Sequence, residues 1–375
     1  MAARGRSSRA RAACCLLLVL LQLSARLRPA GAGAAAPQRR RSFPWEVSRD
    51  EKLPWEGLHN DLDALLKVQA RDNAVSVLVF NEGFALVTLN CLVSMIAFAN
   101  LENIIVTAAG AGSLGRCTEL RLPCYDSAHL IAAYGSKAAE GDATRNSPEW
   151  FQLVWVKTLI AHAIIKRDYN VLFTDADTVY LKDATSAYAS ILRRYDADGS
   201  FMFEEANQTR EDGTPYLNRY LNSGNFFLMS NPRTKKMMAM WAIGYKFQSN
   251  SNGNQLWLNK LEALGYRLCH SREQCGRHRA AGWAAIKPHP NQYEGLGQMC
   301  TPHKLPGGVC GDRRLYVHAV CRAGHHLKKQ AFEKLGLWFV HPDAAAPGGV
   351  RVELPPGLPL PCSGATWELG YPGTR

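Results

Sequence analysis

Val171-Leu172-Phe173-Thr174 is a short apolar run that ends on two carboxylates one residue apart, Asp175 and Asp177. An uninterrupted run of this length reads as a buried strand. Alternation along extended chain sends residues i and i+2 to the same side, so both carboxylates face one point beyond the strand end. Mg2+ and Mn2+ favour few carboxylates plus phosphate oxygens, and the expected ligand is therefore a metal–phosphate species. Asp-x-Asp pairs also occur in solvated turns; the apolar strand in front is what argues for a site.

Strands and helices alternate around this run. Val75–Phe80 is a strong strand signal ending at Asn81-Glu82-Gly83, followed by a buried helix over Ala85–Ala99 and a strand at Ile104–Val106. Ser147-Pro148-Glu149 supplies a capping hydroxyl, a first-turn proline and an acid for the helix dipole. That helix should run to Lys166 and deliver the chain into the Asp175 strand. Further helices are expected over Ala184–Arg194, Pro232–Phe247 and Asn254–Leu264, with strands at Phe201–Phe203, Asn225–Met229 and, last, Leu315–Val320. This order predicts an α/β sheet whose ligands lie beyond the strand carboxyl ends. Residues 37–71, with a short helical pattern near Leu58–Val68, read as a stem, 72–340 as the domain, and the Gly/Pro-rich 341–375 as an irregular tail.

The net charge of +12 suggests nucleic acid, but nine arginines and no acid lie in the first 41 residues, so the body is nearly balanced. A nucleic-acid partner is not expected. The leader has arginines, the apolar run Ala12–Leu21 and then small residues, Ala30-Gly31-Ala32 and Ala34-Ala35-Ala36. This favours a secretory signal peptide over 1–36, ahead of a short signal anchor and a transit peptide, since the run falls short of the roughly 18 residues of a membrane span. The secretory pathway, with membrane contact only through such an anchor, is the expected location. Nine cysteines follow the leader. Cys117 with Cys124 and Cys269 with Cys275 are close enough to close small loops, and Cys91, inside an apolar helical stretch, is the expected free thiol. A zinc site from Cys269, Cys275 and His278 is the weaker alternative, because paired C-x-x-C knuckles are missing. Asn207-Gln208-Thr209 is a glycosylation sequon.

Other segments carry candidate chemistry. In Leu221-Asn222-Ser223-Gly224-Asn225, small residues would let backbone amides approach a ligand, while Asn222 and Ser223 could read sugar hydroxyls; a tight turn entering a strand is the competing reading. His318 could complete a coordination sphere begun by two carboxylates, and Lys328 could neutralise a diphosphate, although a strand histidine is more often simply packed. Asn254 and Gln255 offer two amides to orient a substrate, or an N-cap followed by a surface residue. Lys157 either reaches a phosphate from beside the sheet or is solvated. Asp175-x-Asp177-Thr178 also fits the nucleophile motif of haloacid-dehalogenase-type phosphatases. That chemistry needs a downstream acidic pair, and the only late candidate, Asp312, is followed by Arg313-Arg314.

Val171–Asp183 resembles the metal-binding segment of the nucleotide-diphospho-sugar transferase domain of glycosyltransferase family 77. Asn222-Ser223-Gly224-Asn225-Phe226-Phe227, Asn254-Gln255-Leu256-Trp257-Leu258-Asn259 and His318-x5-Gly324-x3-Lys328 follow in that family's order, and Val75–Asn90, with Asn81, Gly83 and Asn90, is similar to its nucleotide-binding start. The resemblance implies a single catalytic domain of GT-A type, a Rossmann-like mixed sheet flanked by helices. It also implies a nucleotide-sugar donor (a UDP-sugar) and a retaining transfer to a glycan, glycoprotein or polysaccharide acceptor, in the Golgi lumen. By the same carry-over, Asp175, Asp177 and His318 would hold Mn2+ (or Mg2+), Asn81 would touch the nucleotide, and Lys157 and Lys328 the phosphates. Asn222, Ser223 and Gly224 would meet the sugar or acceptor, and Asp177, Asn254 and Gln255 are the expected catalytic set. Many relatives carry Asp at the position of Asn254, which motivates the alternative of a catalytically weak, lectin-like binder of nucleotide sugars or glycans.

Overall fold

The computed structural model describes residues 42–132, 147–209, 214–247, 253–290, 315–320 and 324–354. The leader, Cys300, Cys310, Cys321, Cys362, Asp312 and the end of the tail lie outside the described residues. The strands are β1 (Ala74–Phe80), β2 (Ile104–Ala108), β3 (Cys124–Asp126), β4 (Asn170–Thr174), β5 (Thr178–Tyr180), β6 (Gly199–Thr209), β7 (Pro215–Leu228), β8 (Tyr266–Leu268), β9 (Ala284–Pro290), β10 (Tyr316–His318), β11 (Val340–Pro342) and β12 (Val350–Val352). Eight of them form one mixed sheet in the order β3-β2-β1-β4-β7-β6-β9-β8. β1 to β4 run parallel, and β7 joins β4 antiparallel. The layered α/β arrangement expected of a GT-A-type domain, a Rossmann-like mixed sheet flanked by helices, is present.

Uninterrupted apolar runs form the central strands because both sheet faces are covered. In β1, Val75 and Val77 pack under the helices Pro148–Lys166 and Pro232–Phe247, while Leu78 and Phe80 pack under Ala85–Phe98 and Ala184–Tyr195. β4 repeats the alternation, with Val171 and Phe173 on the first face and Leu172 on the second. The Pro148–Lys166 helix starts as its sequence signals, with Ser147 Oγ accepting from Trp150 N at 3.2 Å.

Several expectations need correction. Residues 42–71 do not stand off as a stem. Phe43 and Trp45 stack at 5.2 Å and are buried in the core, and Leu62, Leu65 and Leu66 of the helix Leu62–Gln69 are buried as well. Arg121 ties this segment down by donating to Glu56 Oε1 at 2.7 Å and to the carbonyls of Val47 and Ser48. The segment after 340 is not wholly irregular, since β11 pairs antiparallel with β12 and buries Val350 and Val352. Asn90, grouped by resemblance with the nucleotide-binding start, instead pins a distant segment: it donates to Leu337 O at 2.9 Å and accepts from Phe339 N at 2.7 Å. Cys117 pairs with Cys124 and Cys269 with Cys275, which removes the zinc alternative, and Cys91 is a buried free thiol. Asn207 falls in β6, which is longer than the apolar run alone suggested.

His289 on β9 is sealed in this core. Its Nδ1 meets Ser200 Oγ of β6 at 2.9 Å and its Nε2 meets the Tyr316 hydroxyl of β10 at 3.0 Å. Burial first, and the charge of Lys287 second, push its pKa down to about 3. The folded value lies below the ordinary one near 6.5, so the stability this neutral imidazole contributes is complete above that pH and is lost as pH falls from there. We expect the melting temperature to drop between about pH 6.5 and 4.5, by up to ~1.4 kcal/mol of stability per pH unit from this group. His289→Gln should flatten that part of the profile; an unchanged slope would count against the assignment.

Candidate functional site

Asp175-Ala176-Asp177 forms the short link between β4 and β5, at the carboxyl end of the sheet beside β1 and β7. The two carboxylates converge, but through a turn rather than by alternation along extended chain. Their third neighbour arrives on β10, which pairs antiparallel with β5 in a separate two-stranded ribbon. The register sets His318 opposite Thr178, and Ala319 N donates to Asp177 O at 2.8 Å. His318 Nε2 therefore lies 3.1 Å from Asp177 Oδ1 and 3.8 Å from Asp175 Oδ2. One ligand atom from each of Asp175, Asp177 and His318 lies within 4.8 Å of the others.

Two lysines close the cluster from opposite sides. Lys157, from the Pro148–Lys166 helix, reaches Asp175 Oδ1 at 2.7 Å. Lys328, on the helix His325–Lys334 that begins after Gly324, donates to Asp177 Oδ2 and also to Ala319 O at 2.8 Å. Both lysines are buried. Burial would raise the Asp177 pKa, but the Lys328 ammonium and then His318 more than offset it and hold the carboxyl well below the usual carboxylate range. Beneath the turn, the Cys91 thiol, pushed up chiefly by burial, lies 3.9 Å from Asp175 O.

The Asn222–Asn225 segment forms the facing wall, and it is neither a turn nor the start of a strand. It lies inside β7, where pairing with β6 jumps from Phe201↔Phe226 to Met202↔Asn222, leaving Ser223, Gly224 and Asn225 as a bulge. Bulges of this kind re-aim side chains beside functional sites. Asn222 Oδ1 accepts from Gly224 N at 2.6 Å, and Gly224 O accepts from Asp175 N at 2.6 Å. A side chain at Gly224 would sit 2.6 Å from both Asp175 Oδ2 and His318 Cε1, so the glycine keeps open the space the three ligand atoms face.

The two amides at the start of the helix Asn254–Lys260 play different parts. Gln255 Oε1 accepts from Ser223 N at 3.1 Å and so holds the bulge directly. Asn254 is 2 % exposed; its Nδ2 donates to Thr158 Oγ1 at 3.1 Å, and its Oδ1 faces Ser223 Oγ at 3.4 Å. Asn254 thus reaches the site through Ser223. Asn81, at the end of β1, is buried and accepts from Gly83 N at 3.1 Å, shaping the turn that leaves the strand. Sequence reasoning missed Asn225 as a polar group: fully buried, it donates to Tyr180 OH at 2.8 Å and to Thr174 Oγ1 at 3.3 Å, and accepts from Tyr188 OH. An asparagine leading an otherwise apolar Phe-Phe-Leu run was the available signal.

The donor set of two carboxylate oxygens and one imidazole nitrogen, with cleared space in front, suits Mn2+ or Mg2+ with positions left for phosphate oxygens. A family model described as nucleotide-diphospho-sugar transferase matches residues 99–330, which includes every residue of this cluster. The chain belongs to the nucleotide-diphospho-sugar transferase family. β1 and Asn81 precede the matched range. An uncharacterized protein of Arabidopsis thaliana is 24% identical over 153 residues, which are 41% of this chain and 40% of the plant protein. Among solved structures, the bifunctional glycosyltransferase WbbM is 16% identical with a TM-score of 0.36, over 51% of this chain and 38% of that one. Mouse xyloside xylosyltransferase 1 is 13% identical with a TM-score of 0.33, over 50% and 80%. The glycosyltransferase GlyE of Streptococcus pneumoniae is 12% identical with a TM-score of 0.38, over 70% and 60%.

Gly224→Ala tests the cleared space. The protein should stay folded but hold Mn2+ at least ~10-fold more weakly, the scale expected when ligands are disturbed from outside the coordination sphere. Unchanged Mn2+ affinity, read by paramagnetic resonance of the free ion, would remove Gly224 from the site.

Proposed function

We propose that this domain moves a sugar from a UDP-sugar to a glycan, glycoprotein or polysaccharide acceptor with retention of anomeric configuration, using Mn2+ (or Mg2+) held by Asp175, Asp177 and His318. The observation that carries the reading is the convergence of those three side chains between two buried lysines at the carboxyl end of the sheet. When bound, the cation would supply Lewis-acid stabilisation of charge on the diphosphate. Lys157 and Lys328 place fixed positive charge on either side of that position, where a leaving diphosphate gains charge as its bond to the sugar breaks. The acceptor hydroxyl would attack the anomeric carbon from the face the diphosphate leaves, and its proton would pass to the departing phosphate oxygen. Gln255 acts by holding the Ser223 amide, and Asn254 by holding the Ser223 hydroxyl, so both orient the wall of the site.

This assignment of Asn254 weakens the motive for a lectin-like reading, because its amide is engaged within the fold. We place the protein in the secretory lumen, a reading supported by two disulfides that an oxidising compartment would preserve. No helix among the described residues is long and apolar enough to cross a membrane.

The test is transfer of radiolabelled sugar from a panel of UDP-sugars, galactose, arabinose and xylose included, with and without Mn2+. Metal-dependent transfer or donor hydrolysis is expected, and linkage analysis of the product then names the reaction. Binding without turnover across the panel would favour the lectin-like protein. Asp177→Ala should fold and lose at least ~100-fold in turnover. Near-normal turnover by the folded variant would sink the assignment.

A further inference from the structure

Each carboxylate of the cluster divides its two oxygens between different partners. Asp177 turns Oδ1 to His318 Nε2 at 3.1 Å and Oδ2 to the Lys328 ammonium. Asp175 turns Oδ2 toward the same imidazole at 3.8 Å and Oδ1 to Lys157 at 2.7 Å. The inner oxygens thus converge with the imidazole while the outer oxygens carry ammonium groups. Neither lysine is free to swing away cheaply. Lys328 is also bound to Ala319 O at 2.8 Å, and Lys157 lies over the Phe173 ring at 5.5 Å.

The charges of the four side chains cancel. A divalent cation on the inner oxygens would therefore meet no net negative charge, and would sit close to two buried ammonium groups that water screens poorly. A diphosphate changes this balance, because it brings anionic oxygens that both the cation and the lysines can share. We infer that Lys157 and Lys328 set the metal affinity of this site, keeping it weak for a divalent cation alone and making tight binding conditional on a diphosphate. The inference rests on the metal–diphosphate reading proposed above and adds a second role for the two lysines: besides contacting phosphate, they refuse a bare cation. By linkage, the cation must raise diphosphate affinity by the same factor as the diphosphate raises that of the cation, within the usual ~5–150-fold range of coupled sites.

The full-length protein tests this without any turnover. Mn2+ binding alone is read by paramagnetic resonance, and binding of radiolabelled inorganic pyrophosphate by equilibrium dialysis at several fixed free Mn2+ concentrations. The wild type should bind Mn2+ weakly alone, with each ligand strengthening the other. Lys328→Gln and Lys157→Gln should each bind Mn2+ alone about 10-fold more tightly while binding pyrophosphate more weakly, so that the coupling shrinks. Lys328→Arg, which keeps the charge, should bind Mn2+ alone as weakly as the wild type. If the folded neutral variants bind Mn2+ alone no better than the wild type, the lysines are phosphate contacts only and the inference fails. If the wild type binds neither Mn2+ alone nor pyrophosphate at any Mn2+ concentration, the metal–diphosphate reading itself fails with it.

Discussion

Two carboxylates brought close together and half or more withdrawn from water repel one another, and unit charges at about 4 Å interact by ~4 kcal/mol at the effective dielectric of a protein surface region. Asp175 and Asp177 are in that position, with side chains 28% and 12% exposed. The surrounding architecture answers this one constraint. Lys157 comes from the helix that precedes β4, His318 from the β10 ribbon, and Lys328 from the helix that follows it. Segments far apart in sequence meet at the carboxylates, so their charges are compensated only in the folded chain. Assembly of this kind also leaves the inner oxygens facing a common point, which is what a shared cation requires.

The bulge in β7 supplies the other half of the geometry. A regular β6–β7 ladder would run strand backbone and side chains past the carboxylates; the break after Phe201↔Phe226 lets Gly224 approach Asp175 with nothing projecting into the gap. Behind it, Asn225 binds Tyr180, Tyr188 and Thr174, and Tyr188 lies 3.5 Å from His289. This buried polar network is satisfied by groups from β4, β5, β7, β9 and the Ala184–Tyr195 helix, so the bulge cannot slide without breaking several hydrogen bonds at once. Rigid support of this sort is what holds ligands to within fractions of an ångström.

Much of the framework was legible in the linear chain because its signals are local. The apolar runs of β1, β2 and β4 and the Ser147-Pro148 helix start need only nearest-neighbour chemistry to be read. The packing of 42–71 onto the domain was not legible, because a stem and a docked segment have the same composition; the burial of Phe43, Trp45, Leu65 and Leu66 and the grip of Arg121, some seventy residues away, distinguish them. The β7 bulge was also hidden, since Asn-Ser-Gly-Asn reads as a turn until a partner strand imposes a register.

Asp175-Ala176-Asp177 behind an apolar strand determined by itself that two acids would meet at a strand end, and the motif order determined the family. Which groups surround the acids there was decided by tertiary structure. The sequence named His318 as a third ligand candidate, but its place beside both carboxylates was set only by the pairing of β10 with β5, and the lysines became counter-charges to the acids only when their helices packed against the sheet. The reason is physical: residue type sets which charges exist, but the energy between charges depends on distance and burial, and those are properties of the fold.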